Sequence, residues 1–501
     1  MTLQLRRICV GDTKIKKRFG LILAISFATL NMQALAATVP ATDGAPLPDR
    51  LEGHLHAFIQ TVNAGNTTAV RRFRENSMSE EFAKNVPFGG LVDYFQGQRR
   101  VTGGLDFVGA QLDPTNPGIV ILAVRDNIYG GVHGVKLPFE PGGDYRLSMV
   151  ETAGTPAWAI SNQPTRSPHQ VADNIRAAIY RGCNAGVFSG SVLVAHNETV
   201  LLEQACGEAS RRYHVSNTVD TRFNLASMNK MFTAVAVMQL VEHGRVALDD
   251  HLSEYVDETW LPREVSDRIT IRQLLTHTSG LGSFLSELRK APRDGYREVD
   301  DYKPLVRSER PAFEPGTAFQ YSDTGMLLLG AVIEKAAAEN YFDYVRQHIF
   351  APSGMTDTDS YSLDDPVERV AMGYVPASDD PDAWRENTSM ILMRGCPAGG
   401  GYSTVGDLFR FARALETGKL ISPTSLKILW TNHRPNDYGA GFEVEDSAAG
   451  KLVGHSGFDR GVSTQMRIYL DKGYVVVVLS NIQRGAPTLA ETISNEIATA
   501  Y

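Results

Sequence analysis

Residues 223–244 read FNLASMNKMFTAVAVMQLVEHG. From Met231 onward the segment is apolar on every face of a helix, through Phe232, Ala234, Val235, Val237, Leu240 and Val241. A helix with no polar face is buried, and Gly244 stops it. At its entrance stands Ser227-Met228-Asn229-Lys230, an S-x-x-K. This spacing puts Lys230 one turn after Ser227 on the same face, so an amine comes within reach of a hydroxyl. Burial disfavours the charged form of an amine, and a neutral lysine can accept the serine proton. The start of a helix also favours the negative charge that attack on a carbonyl creates. A lone S-x-x-K is a weak signal, because about two arise by chance at this length. Here it occurs once, and its context gives it weight.

Working outward, Phe319-Gln320-Tyr321-Ser322-Asp323 precedes Thr324-Gly325-Met326-Leu327-Leu328-Leu329-Gly330. Gly454-His455-Ser456-Gly457 opens the last predicted hairpin. Leu274–Leu281 reads LLTHTSGL, Glu314–Thr317 reads EPGT, and Gly399–Thr404 reads GGGYST. Taken alone, His277 in its Thr-Ser-Gly turn reads as structural support and Tyr402 as packing. There is no G-x-S-x-G elbow, no H-E-x-x-H and no G-x-x-x-x-G-K-[ST] phosphate loop.

These ordered motifs resemble the serine β-lactamase/penicillin-binding-protein superfamily, closest to its class C-like branch of esterases, D-aminopeptidases and related hydrolases. The resemblance covers about residues 170–500. It implies Ser227 as nucleophile, with Lys230 and Tyr321 as the base that takes and returns its proton. It implies that His455, Ser456 and Gly457 form the strand beside the cleft, where many members carry Lys-Thr-Gly. Backbone N–H groups of Ser227 and Phe458 would form the oxyanion hole. Asp323 replaces the family's usual Asn and bears on substrate choice. The implied activity is hydrolysis of an ester, peptide or β-lactam carbonyl through an acyl-enzyme, with no metal or organic cofactor. The rival is a penicillin-binding-like sensor or binding protein without turnover.

The flanks suit that fold. A helix through Val171, Ile175 and Ile179 leads into a hairpin, 186–195 with 199–206, and a second hairpin, 463–470 with 474–481, precedes a helix from about Pro487 to Ala500. Between them lie some 250 mostly helical residues. The expected class is α+β: an antiparallel sheet flanked by helices, with a large helical insertion, over 170–501. Before it, residues 45–155 read as a small α+β module. Leu51, Leu55, Phe58, Ile59 and Val62 form a helical stripe, and strand-like stretches follow at 105–112, 118–124, 132–139 and 145–150. Helices followed by a curved sheet resemble NTF2-like (SnoaL-like) folds, an architectural likeness without a motif. His54 and His56 face different sides of their helix and read as structural. Pro156, Pro164 and Pro168 punctuate a linker over 156–169.

Arg6, Arg7, Lys14, Lys16, Lys17 and Arg18 precede an apolar run, Leu21–Leu30, and Ala34-Leu35-Ala36 follows. This is the pattern of a signal peptide over 1–36, which implies a periplasmic or secreted protein with no stable membrane span after cleavage. Cys183 and Cys206 flank the two halves of the first hairpin and could pair, though buried free thiols fit equally; Cys396 has no evident partner. The net charge of −8 and the lack of a basic stripe beyond the leader argue against nucleic acid as a partner. A small-molecule or peptide substrate is the partner expected.

Overall fold

The computed structural model describes residues 46–140, 142–377, 383–433 and 437–501; the expected leader lies outside them. Helix α1 (Asp49–Ala64) buries the predicted stripe Leu51, Leu55, Phe58, Ile59 and Val62. Helices α2 (Thr67–Ser77) and α3 (Phe88–Thr102) pack on it through Phe73 and Phe95, whose rings lie 6.1 and 5.7 Å from Phe58. These helices cover an antiparallel sheet of β1 (Leu105–Asp113), β2 (Asn116–Asp126), β3 (Val132–Pro138) and β4 (Glu151–Ala153), in that order. The strand expected over 145–150 does not form. Tyr145 adopts a left-handed φ of 49°. Leu147 gives its N–H to Ser77 and its carbonyl to Ser79, so its backbone is spent on the helical layer. Glu151–Ala153 takes the edge of β3 instead.

The rest of the chain is built on a six-stranded antiparallel sheet. Helix α4 (Pro168–Asn184) starts at a capping box made by Ser167 and Gln170. It leads to β5 (Gly190–His196) and β6 (Thr199–Cys206). The helical middle contains α5 (Asn229–Glu242) and α6 (Asp323–Ala337). The chain then returns through β7 (Glu443–Ser447), β8 (Gly450–Asp459), β9 (Val462–Tyr469) and β10 (Tyr474–Ser480), and ends with α7 (Pro487–Ala498). The strand order is β7-β8-β9-β10-β5-β6, so the last strand pairs with the first, Val477 opposite Leu193. This closes the fold around its insertion. β10 is buried along its whole length because both faces are covered. Val476 and Val478 pack toward α4 and α7, while Val475, Val477 and Leu479 join the larger core around α5. A Cys183–Cys206 disulfide ties the end of α4 to the end of β6, and Cys396 is a buried free thiol. Among the described residues no helix is long and apolar enough to cross a membrane.

The N-terminal module docks on the α4/α7 side of this sheet. Asn495 donates to the Val132 carbonyl at 2.8 Å, and Glu491 accepts from the Thr155 N–H and hydroxyl. Arg181 donates to the carbonyls of Ile128 and Tyr129. The Tyr129 ring, 2% exposed, lies over Gly182, where a Cβ would come within 2.5 Å of it. The intervening segment is packed too: Ile160 is buried, and Trp158 covers Gly109.

Gly182 therefore offers a test of the docking. In a helix interior, Ala is favoured over Gly by about 1 kcal/mol, whereas overpacking a core costs about 1–3 kcal/mol. Gly182→Ala should lower the thermal midpoint of the full chain. In a Tyr129→Ala background the same substitution should raise it. Equal shifts in both backgrounds would mean that the ring does not press on the helix.

Candidate active site

Between Phe223 and Lys230, Ser227 is the one residue not buried apart from the core. It sits in a 3₁₀ turn, Ala226–Met228, that runs straight into α5. The turn is forced. Ala226 has φ +46°, a left-handed conformation that costs a non-glycine residue of order 1–2 kcal/mol. Its N–H is held by the Asn224 side chain at 2.9 Å, and its carbonyl accepts from Gly400. The Leu225 N–H donates to the Gly401 carbonyl. The Gly399–Gly401 segment thus clamps the serine turn from one side. β8 closes it from the other: a Cβ on Gly457 would lie 2.1 Å from the Leu225 carbonyl oxygen, so the strand reaches the turn only because this residue is glycine.

Lys230 Nζ is fully enclosed, with three acceptors around it: Ser227 Oγ at 3.0 Å, Asp323 Oδ1 at 2.8 Å and the Ala398 carbonyl at 2.5 Å. An ammonium has three donors, and each has an acceptor. Asp323 is the first residue of α6, where an acidic side chain is favoured by the helix dipole. Its second oxygen accepts from the Ser283 hydroxyl at 2.7 Å.

Tyr321 lies two residues before α6, its phenol close enough to the Ser227 side chain for the two to interact. Lys230 Nζ is 4.8 Å from its ring centroid. Burial pushes the phenol well above a tyrosine's ordinary range, and the negative charge of Asp323 pushes it further; the interaction with Ser227 and, more weakly, Glu443 act after these. Beneath Tyr321 lies His277, buried and with φ +56°. Its carbonyl accepts from the Gln320 N–H and its Nδ1 from the Ser322 N–H at 3.2 Å. The Thr-Ser-Gly turn is thus a support for the Tyr321 segment. Burial, and then the charge of Lys230, hold the His277 imidazole well below its ordinary range.

The strand motif is assembled differently from what its sequence implies. His455 is 1% exposed, and both ring nitrogens meet protein: Nε2 with the Tyr438 hydroxyl at 3.1 Å, Nδ1 with the Ser456 carbonyl at 2.5 Å. Ser456 bonds Glu443, donating its N–H at 3.0 Å and its hydroxyl at 2.5 Å. Phe458 lies exposed at the far end of this run of β8. Four participants could not be named from the sequence: Ser283, the Ala398 carbonyl, Tyr438 and Glu443. Tyr438 had a signal, since it opens Tyr438-Gly439-Ala440-Gly441-Phe442, a tight glycine-spaced run. Glu443 had none. Among the described residues, no group of three His, Cys, Asp or Glu side chains is placed to hold a metal ion.

The arrangement brings a solvent-reaching hydroxyl, a buried amine and a phenol together, which suits proton transfer to and from the hydroxyl. Comparison with known proteins identifies the family. The family model described as Beta-lactamase matches residues 172–500. Penicillin-binding protein 4* of Bacillus subtilis (strain 168) is 33% identical over 313 residues, covering 59% of this chain and 68% of its own. The crystal structure of D-amino acid amidase from Ochrobactrum anthropi SV3 superposes with a TM-score of 0.59 at 26% identity, over 65% of this chain and 98% of that one. A penicillin binding protein from Bacillus halodurans gives 0.57 at 29%, over 64% and 96%. With its fold, its sheet order and the family match over more than half its length, this chain belongs to the beta-lactamase family.

Proposed function

We propose that this protein is a serine hydrolase that works through an acyl-enzyme on Ser227. The observation that carries the proposal is the contact of one accessible hydroxyl with both Lys230 and Tyr321. The serine proton passes to the Lys230/Tyr321 pair as Oγ bonds to the substrate carbonyl carbon. The pair returns a proton to the leaving group as its bond to that carbon breaks. Water then repeats the sequence, and Ser227 recovers its proton. Burial and the charge of Asp323 raise the Tyr321 phenol, so the phenolate that takes the serine proton grows with pH, and the rate rises with it. The N–H groups of Ser227 and Phe458 serve as the oxyanion hole, next to the start of α5. An ester or amide is favoured over a penicillin, because Asp323 replaces an amide side chain that could donate to an acyl-amide oxygen. His455 holds Tyr438 and the strand in place. A periplasmic or secreted location is supported by the Cys183–Cys206 disulfide. The second reading, a sensor acylated without turnover, has in its favour the fully paired Lys230.

A chromogenic ester, with rapid-mixing kinetics and intact-mass analysis, separates these readings. The hydrolase releases product steadily after any burst; a sensor stops at one equivalent. Ser227→Ala should lose at least about 1,000-fold in kcat/KM. It should still fold, with a modestly lower thermal midpoint, since Ser227 caps no backbone N–H of α5 but is one of three acceptors of Lys230. Retained turnover, or an adduct mapped elsewhere, would remove Ser227 from the mechanism.

The pH profile tests the role of Asp323. Tyr321 is raised first by burial and second by the charge of Asp323. Asp323→Asn removes the second cause, so the phenol loses its proton at lower pH. The ascending limb of kcat/KM should then move toward acid. An unmoved or alkaline-shifted limb would show that Asp323 does not govern the base.

A further inference from the structure

The Ser456 hydroxyl sits at the centre of the strand motif, where a substrate passing along β8 would meet it. In this protein it is already bound by a carboxylate, Glu443 Oε1 at 2.5 Å, while Oε2 accepts from the Ser456 N–H. Glu443 comes from β7, directly opposite Gly454 in the ladder. Its side chain is 24% exposed, so the charge faces solvent as well as Ser456. It also stands 3.7 Å from His455 Nδ1. Among the described residues it pairs with no Lys or Arg, and burial pulls its neighbour His455 below the ordinary imidazole range, against the charge of Glu443. Lys230 has no exposure and is already matched by Asp323. Glu443 is therefore a partly exposed carboxylate with no Lys or Arg partner among the described residues.

We propose that Glu443 is a specificity-determining residue that selects substrates bearing an ammonium group and rejects those bearing a carboxylate near the scissile carbonyl. This rests on the hydrolase reading above and adds the charge of the substrate to it. A substrate ammonium replaces water beside Glu443 and gains Coulombic attraction in a partly screened site. A substrate carboxylate meets a like charge and finds the Ser456 hydroxyl already donated to Glu443.

Three p-nitrophenyl esters test this: glycyl, with an ammonium; propionyl, neutral; and hemisuccinyl, with a carboxylate. The measured quantity is the ratio of kcat/KM for the glycyl ester to that for the hemisuccinyl ester, each corrected for spontaneous hydrolysis. In Glu443→Gln, whose amide oxygen can still accept from Ser456, this ratio should fall about tenfold or more, whatever the change in the rate of the neutral propionyl ester. In the unaltered protein the ratio should also fall as salt is raised, a readout that needs no variant to fold. Ser456→Ala, which removes the hydroxyl and leaves the charge, should keep the ratio. A ratio unchanged in Glu443→Gln and insensitive to salt, with propionyl ester still turned over, overturns the assignment alone. No Ser227-dependent turnover of any of the three esters overturns the hydrolase reading, and this inference with it.

Discussion

A lysine with no exposure to solvent is the constraint around which the site is built. A buried ammonium is tolerated only when every proton finds an acceptor and a counter-charge lies close. Lys230 meets that condition with acceptors from three separate parts of the chain: its own turn, the start of α6, and the loop before the glycine run. None of the three is local apart from Ser227. The helical insertion must be folded, and α6 packed on α5, before the charge is satisfied. Removing one partner of a buried ion pair costs about 3–5 kcal/mol in general, so the same contacts hold the core and arrange the chemistry.

Around this charge, the backbone is held in conformations it would not choose alone. Ala226 and His277 both take positive φ, and both are one step from a functional side chain or directly beneath one. Such strain persists where the surroundings over-determine it. Here the surroundings are the Asn224 side chain, the Gly399–Gly401 clamp and the close approach of β8 at Gly457. The Ser227 hydroxyl is thereby presented at the entrance of a helix that is buried from Asn229 to Leu240.

What could be read in advance divides along sequence separation. The all-apolar run after Lys230 placed α5 in the core, and the three-residue spacing placed its amine at Ser227, because helix geometry is local. The hairpins at both ends followed from short turns and β-branched runs. Asp323 stands out as a departure in its motif, and the structure places it against Lys230. Glu443 was invisible, because its role arises from pairing between β7 and β8 and from the orientation of one side chain. His455 looked like a cleft residue from its motif; its burial and its bond to Tyr438 depend on a partner 17 residues away. Tyr145–Val150 had the composition of a strand, but only Leu147 pairs, bridging Phe139 beyond β3 on one side and the Ser77–Ser79 segment on the other. The disulfide was an even choice in the sequence, since nothing local fixes how far the end of α4 lies from the end of β6.

The central claim is that Lys230 and Tyr321 act on Ser227 as one proton-handling unit. A double-mutant cycle in kcat for a chromogenic ester, using Lys230→Ala, Tyr321→Phe and the two combined, tests it most directly. Each single change should lower kcat strongly, and the combined variant should lose far less than the product of the two losses, as groups that work together do. Losses that multiply in full would show that the two residues act independently and would contradict the account.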